Sequence, residues 1–337
     1  LQITRSFAIF IFANHSQKDD AAVMVKLNAL RYEGAAIPGI LSRAARFTLA
    51  AVFALVAITG VWAGTPTVVV SILPQSEFVA RIAGGKVKIL TLVGPGASPH
   101  NYEPTPRQMA DLSGASLWLT VGGVEFEKAF LPKVKALYPR LRIVDTAAGV
   151  KFRTLESHSH EGETAAPAAA EADDEGGIDP HVWLGRDAVK VQLAAAAEAL
   201  SALLPADAAL FKKNLDAYVA EIDAAFAELA KDLAPLKGRK VFVYHPSFGY
   251  FLDSFGILQE AVELGGKEPT QKSLASLIAE AKADGAKAVF VQKQFSTNAA
   301  RTVAAAIGGV VVEVDPLAPD WLANIKAMGA ALKRAIK

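Results

Sequence analysis

From residue 67 onwards, short β-branched runs alternate with amphipathic stretches, and this rhythm limits the fold more than any other feature. Residues 67–73, 87–92, 116–121 and 142–145 read as strands. Between them, 76–82, 106–112 and 125–137 carry apolar residues at helical spacing. Thr105 ahead of Pro106 is the expected helix cap. Strand–helix alternation of this kind produces a mostly parallel sheet covered on both faces. Residues 155–178 interrupt it with an acidic, Ala-rich, low-complexity stretch that has little to bury and is expected to be a mobile loop. Two helical segments follow, 187–204 and 206–233. The second keeps apolar residues on one face from Phe211 to Leu233, a length of roughly 40 Å at ~1.5 Å per residue. Such a helix is either a strut between two lobes or an ordinary covering helix. The rhythm then resumes, with strands at 240–244, 288–292 and 310–314 and helices at 246–255, 271–283, 296–306 and 321–336. The expected fold is α/β, with two lobes, each a mostly parallel sheet flanked by helices, around a helical middle.

The first 63 residues are expected to lie outside that fold. A short apolar run, 49–61, follows Arg43 and Arg46 and ends in Val61-Trp62-Ala63, the layout of a secretory signal peptide. The natural start is expected at Met24 or near Leu41. Residues 64–184 then form a first lobe carrying the 155–178 loop, 185–234 a helical connector, and 235–337 a second lobe. A formal charge of +1 gives no reason to expect nucleic acid as a partner. The chain contains no cysteine, so it offers neither disulfides nor a residue for lipid attachment. A free periplasmic monomer is expected.

The chain has six histidines. One lies in the leader and two, His158 and His160, in the acidic loop. The three in the folded part are His100, His181 and His245. Ligands in open α/β sheets gather beyond the carboxyl ends of the strands. His245 directly follows strand 240–244, Asp315 directly follows 310–314, His100 sits in the loop leaving 87–92, and His181 ends the long acidic loop. Three imidazoles and one carboxylate suit tetrahedral Zn²⁺. A single loop histidine is commonly structural, Asp315 could merely cap the turn before Pro316, and no HExxH or CxxC spacing is present. His158 and His160, with Glu156, Glu161 and Glu163, form a possible weak auxiliary zinc site or a solvated spacer.

A series of segments sharpens this reading: Pro74-Gln-Ser-Glu-Phe-Val79, Gly94-Pro-Gly-Ala-Ser-Pro-His-Asn-Tyr-Glu-Pro-Thr-Pro106, Asp179-Pro-His-Val-Trp-Leu184, His245-Pro-Ser-Phe-Gly-Tyr-Phe251, Gly265-Gly-Lys-Glu-Pro269, Gln294-Phe-Ser-Thr297 and Val314-Asp-Pro-Leu-Ala318. In content and order they resemble the zinc/manganese-binding solute receptors of metal-uptake ABC transporters, over essentially all of residues 66–336. The resemblance implies His100, His181, His245 and Asp315 as metal ligands, two lobes joined by a long rigid helix, and a membrane permease as partner. It also implies zinc, because manganese receptors tend to carry glutamate where this chain has His245. Two departures stand out. The acidic loop holds only two histidines, and Gln292-Lys293-Gln294 replaces a Glu-Pro-Gln type stretch, so no ligand is assigned there.

The leading expectation is therefore a zinc receptor with no enzymatic activity, for which Zn²⁺ is cargo. The alternatives are a manganese receptor of the same family, a secreted zinc hydrolase with Glu103 as general base, and a metal-dependent surface adhesin.

Overall fold

Strand β1 (Thr67–Ile72) is buried along nearly its whole length, which is why its Val-rich run shows no polar alternation. It forms the middle of a four-stranded sheet of order β2-β1-β3-β4, with β2 at Lys88–Val93, β3 at Leu117–Thr120 and β4 at Arg142–Asp145. All three pairings are parallel. The crossovers run through α1 (Leu73–Ala83), α2 (Pro106–Ser113) and α3 (Glu125–Leu137). Thr105 caps α2 as expected, its Oγ1 accepting from Gln108 N at 3.3 Å. The computed structural model describes residues 64–155, 177–263, 270–295 and 298–335. The leader, His158 and His160, the 265–269 segment and residues 296–297 lie outside the described residues.

The second sheet repeats the first. Its order is β6-β5-β7-β8, again all parallel, with β5 at Lys240–Val243, β6 at Leu258–Ala261, β7 at Ala288–Gln292 and β8 at Val310–Val314. Strand β6 is an addition to the sequence reading. Between the two sheets come α4 (Arg186–Leu203) and α5 (Ala208–Leu233), and with the second sheet α6 (Gly249–Asp253), α7 (Gln271–Ala283), α8 (Asn298–Ala306) and α9 (Trp321–Ala335). Among the described residues no helix is long and apolar enough to cross a membrane.

The long helix α5 resolves the choice between strut and cover, because it is both. Its buried face, Phe211, Tyr218, Ile222, Phe226, Leu229 and Leu233, belongs to one apolar core that takes in residues of both sheets. Toward the first sheet, Asn214 donates to Ile82 O of α1 at 2.9 Å and Tyr218 Oη donates to Glu77 at 2.9 Å. Toward the second, Lys333 of α9 pairs with Asp232 at 2.6 Å. Gly329 of α9 lets the two helices approach closely, since a Cβ there would lie 2.3 Å from Leu229 Cδ2. Residues Ala63–Lys337 accordingly form one compact unit.

Both sheets reverse their strand order at the central pair, between β1 and β3 and between β5 and β7. A crevice opens at the carboxyl ends of the strands at such a point. The loops described next leave from those ends.

Candidate metal centre

His245 lies two residues beyond β5. Its backbone is fixed from both sides by the fully buried Gln292 at the end of β7, which accepts from His245 N at 3.3 Å and donates to His245 O at 2.6 Å. The ring stacks on Phe295, with centroids 4.6 Å apart. Its Nδ1 meets the buried carboxylate of Glu263, just past β6, at 2.5 Å. His181 is placed by a local device. Asp179 Oδ1 accepts from His181 N at 3.0 Å and from its ring Nδ1 at 2.8 Å. His100 rides on the Gly/Pro loop after β2, and its Nδ1 lies 2.9 Å from Glu125, the first residue of α3.

A carboxylate can only accept, so each Nδ1 carries a proton, and in the neutral tautomer that a metal ligand requires Nε2 presents the lone pair. All three Nε2 atoms converge. They stand 3.2 Å apart for His100–His181, 3.1 Å for His100–His245 and 3.3 Å for His181–His245. Tetrahedral bonds of ~2.0–2.1 Å to Zn²⁺ would set nitrogens ~3.3–3.4 Å apart. Three acceptors facing one point repel each other, and a cation at that point relieves the repulsion. Carboxylates behind the imidazoles fix the rings and make them stronger donors to the ion.

Burial separates the three histidines. Side-chain exposure is 3% for His181, 12% for His245 and 26% for His100, so His100 forms the solvent side. Burial pushes the His181 pKa down to about 4, with Asp179 opposing the shift. The ring is therefore neutral, the state a ligand needs, at any ordinary pH. For Glu125 and Asp179, burial raises the pKa, but hydrogen bonds and charge from the paired histidine outweigh it. Both carboxyls end below their usual range, Asp179 with added help from Arg153.

Asp315 takes a different place. Its Oδ1 accepts from Gln294 Nε2 at 3.1 Å and Leu317 N at 3.0 Å. Among the described residues, the ligand atoms that cluster within 4.8 Å are those of His100, His181 and His245 alone. Three of the four residues expected to bind metal are thus brought together, and the fourth holds the turn beside them. Glu103 is exposed and outside the cluster. The cleft, walled by Ser98, Pro99, Trp183, Ser247, Phe295 and Leu317, has a volume of about 20 Å³. Trp183 seats one wall against the other, donating to Pro316 O at 2.9 Å while Trp321 donates to Trp183 O at 2.6 Å.

The sequence reading did not find Glu125, Asp179, Glu263 or Gln292. Only Asp179 left a local signal, an Asp two residues before its histidine.

The family described as "Zinc-uptake complex component A periplasmic" matches residues 68–335. The chain belongs to that family. A crystal structure of ZnuA shares 35% identity and a TM-score of 0.72, covering 81% of this chain and 100% of that one. The high-affinity zinc uptake system protein ZnuA of Bacillus subtilis (strain 168) is 26% identical over 246 residues, 72% of this chain and 75% of its own length. The fold is shared more widely. The solute-binding protein FpvC of Pseudomonas aeruginosa, solved in complex with Mn²⁺, has a TM-score of 0.67 at 21% identity over 81% of this chain and 99% of its own. The resemblance read from the ordered segments is met by these matches, and the family is one of periplasmic metal receptors.

Proposed function

We propose that the protein captures Zn²⁺ between His100, His181 and His245 and delivers it to the permease of an ABC-type uptake system. The observation that carries this reading is the convergence of three Nε2 atoms, each backed by its own carboxylate on Nδ1. The donor set supports zinc over manganese. Three imidazoles with no carboxylate among the clustered atoms suit a borderline ion, whereas Mn²⁺ favours oxygen. Asp315 shapes the cleft from behind, through Gln294 and the Pro316–Leu317 turn, and water completes the ion's shell in this reading.

The cleft also weighs against a hydrolase. About 20 Å³ accommodates an ion and about one water, far below the ~300–1,000 Å³ of pockets that bind organic substrates. Delivery to a permease rests on the family match. A bacterium lacking its own zinc receptor and grown in zinc-depleted medium tests the whole proposal. The intact gene should restore growth and the His181→Ala gene should not; equal rescue by both would refute it.

A further inference from the structure

We infer that Arg153 positions the metal ligand His181 and locks it to the helix that follows the ligand His245. This inference rests on the metal-binding reading above. The Arg153 guanidinium spans two carboxylates. Nη1 donates to Asp179 Oδ2 at 3.0 Å and Nε donates to Asp253 Oδ2 at 2.6 Å. Asp179 uses its other oxygen for both the backbone and the ring of His181. Asp253 is the last residue of α6, the helix that begins four residues after His245. A continuous polar chain therefore runs from α6 through Arg153 and Asp179 to His181.

Tyr250 of α6 closes the same joint. Its hydroxyl accepts from Arg153 N at 2.8 Å and donates to Asp179 O at 2.9 Å. The backbone around Arg153 is itself paired with the His181 segment, Asp179 N donating to Arg153 O at 2.9 Å. The joint is built to admit the guanidinium. A Cβ on Gly249 would lie 1.8 Å from Arg153 Nη1 and 2.4 Å from Cζ, so the missing side chain makes room for the arginine head. Asp179 is fully buried, and a buried carboxylate oxygen that loses its partner is costly and free to turn. Without Arg153, the oxygen pair that aims His181 loses its outer anchor. His181 and His245 come from segments 64 residues apart, and this clamp fixes their separation before the ion arrives.

The test compares Zn²⁺ affinity and the visible absorption of bound Co²⁺ in the full chain, for the wild type, Arg153→Gln, Gly249→Ala, the double variant and His100→Ala. Arg153→Gln should keep one-to-one stoichiometry, weaken zinc about tenfold, the lower end of the effect of losing a group that orients a ligand, and alter the Co²⁺ spectrum. Gly249→Ala removes no hydrogen-bonding group and puts a better helix former in α6, yet it expels the arginine head. It should weaken zinc to a similar degree and alter the Co²⁺ spectrum in the same way, and, because Asp179 then loses its partner, lower the melting temperature of the metal-free protein about as much as Arg153→Gln does. The double variant should be no worse than Arg153→Gln. Wild-type affinity and an unchanged Co²⁺ spectrum in both single variants, with zinc lost in His100→Ala, would overturn the role of Arg153 alone. Wild-type zinc binding in His100→Ala would instead overturn the metal site.

Discussion

Each clustered imidazole divides its work between two nitrogens. Nδ1 donates to a carboxylate and Nε2 faces the cleft, so ring orientation and tautomer are set before any ion binds. The consequence is sharpest at His181. Burial holds its pKa at about 4 in the folded chain, below the ordinary 6.5 of an exposed imidazole. Unfolding therefore takes up a proton as pH falls through that window, and this residue destabilises the metal-free protein progressively from pH 6.5 down to about 4. An NMR titration of the metal-free protein should find the His181 ring uncharged until pH approaches 4; a midpoint near 6.5 would contradict the burial argument. Asp315 gives a second prediction at this scale. Asp315→Asn keeps an oxygen for Leu317 N and should cost zinc much less than any of the three His→Ala changes, by titration calorimetry, whereas an equal loss would make it a ligand. The histidines were legible in the sequence because the folded part has only three. Glu125 and Glu263 were not, because their pairing depends on loops from different strands meeting in space.

Among the elements, the strands and helices read correctly are those with unbroken periodicity, such as α3 and β4, whose limits match the expectation. Helix α1 starts at Leu73, three residues before the expected start. Pro74 falls in its first turn, where proline is tolerated because its missing N–H would have no partner in the helix. Helix α6 starts at Gly249, three residues late, because His245 and Ser247 are held by Gln292 in a non-helical turn. Strand β6 escaped because its centre, Gln259 and Glu260, is polar yet buried. Those groups are satisfied in place, Gln259 accepting from Phe248 N at 2.8 Å and Glu260 pairing with Lys240 at 3.4 Å. Helix α4 holds the opposite case. Gln192 is 1% exposed, and neither side-chain polar atom has a hydrogen-bond partner among the described residues. Gln192→Met conserves volume and removes that cost, so it should stabilise the protein by about 1–2 kcal/mol in a denaturant melt. A loss of stability would mean that the amide is in fact satisfied.

In the whole molecule, two similar sheets place their switch points around one crevice, and α5 with α9 joins them through a continuous core. The alternating rhythm revealed two parallel sheets, but strand order was not legible, since it depends on which crossovers turn back. The acidic segment leaves from a paired base, with Leu155 N donating to Gly177 O at 2.8 Å and Thr154 bridged to Ile178. Excising residues 157–176 therefore leaves the paired residues 154–155 and 177–178 intact on either side of the cut. The variant should keep tight one-to-one zinc binding and lose only additional weak zinc; loss of the tight site would show that the segment is part of it. The central claim is that three imidazoles select Zn²⁺, and calorimetric titration of the metal-stripped protein with Zn²⁺ and Mn²⁺ in parallel tests it most directly. The account predicts one tight zinc site, far stronger than manganese and abolished by His245→Ala. Tighter binding of manganese, or no tight binding of either ion, would contradict it.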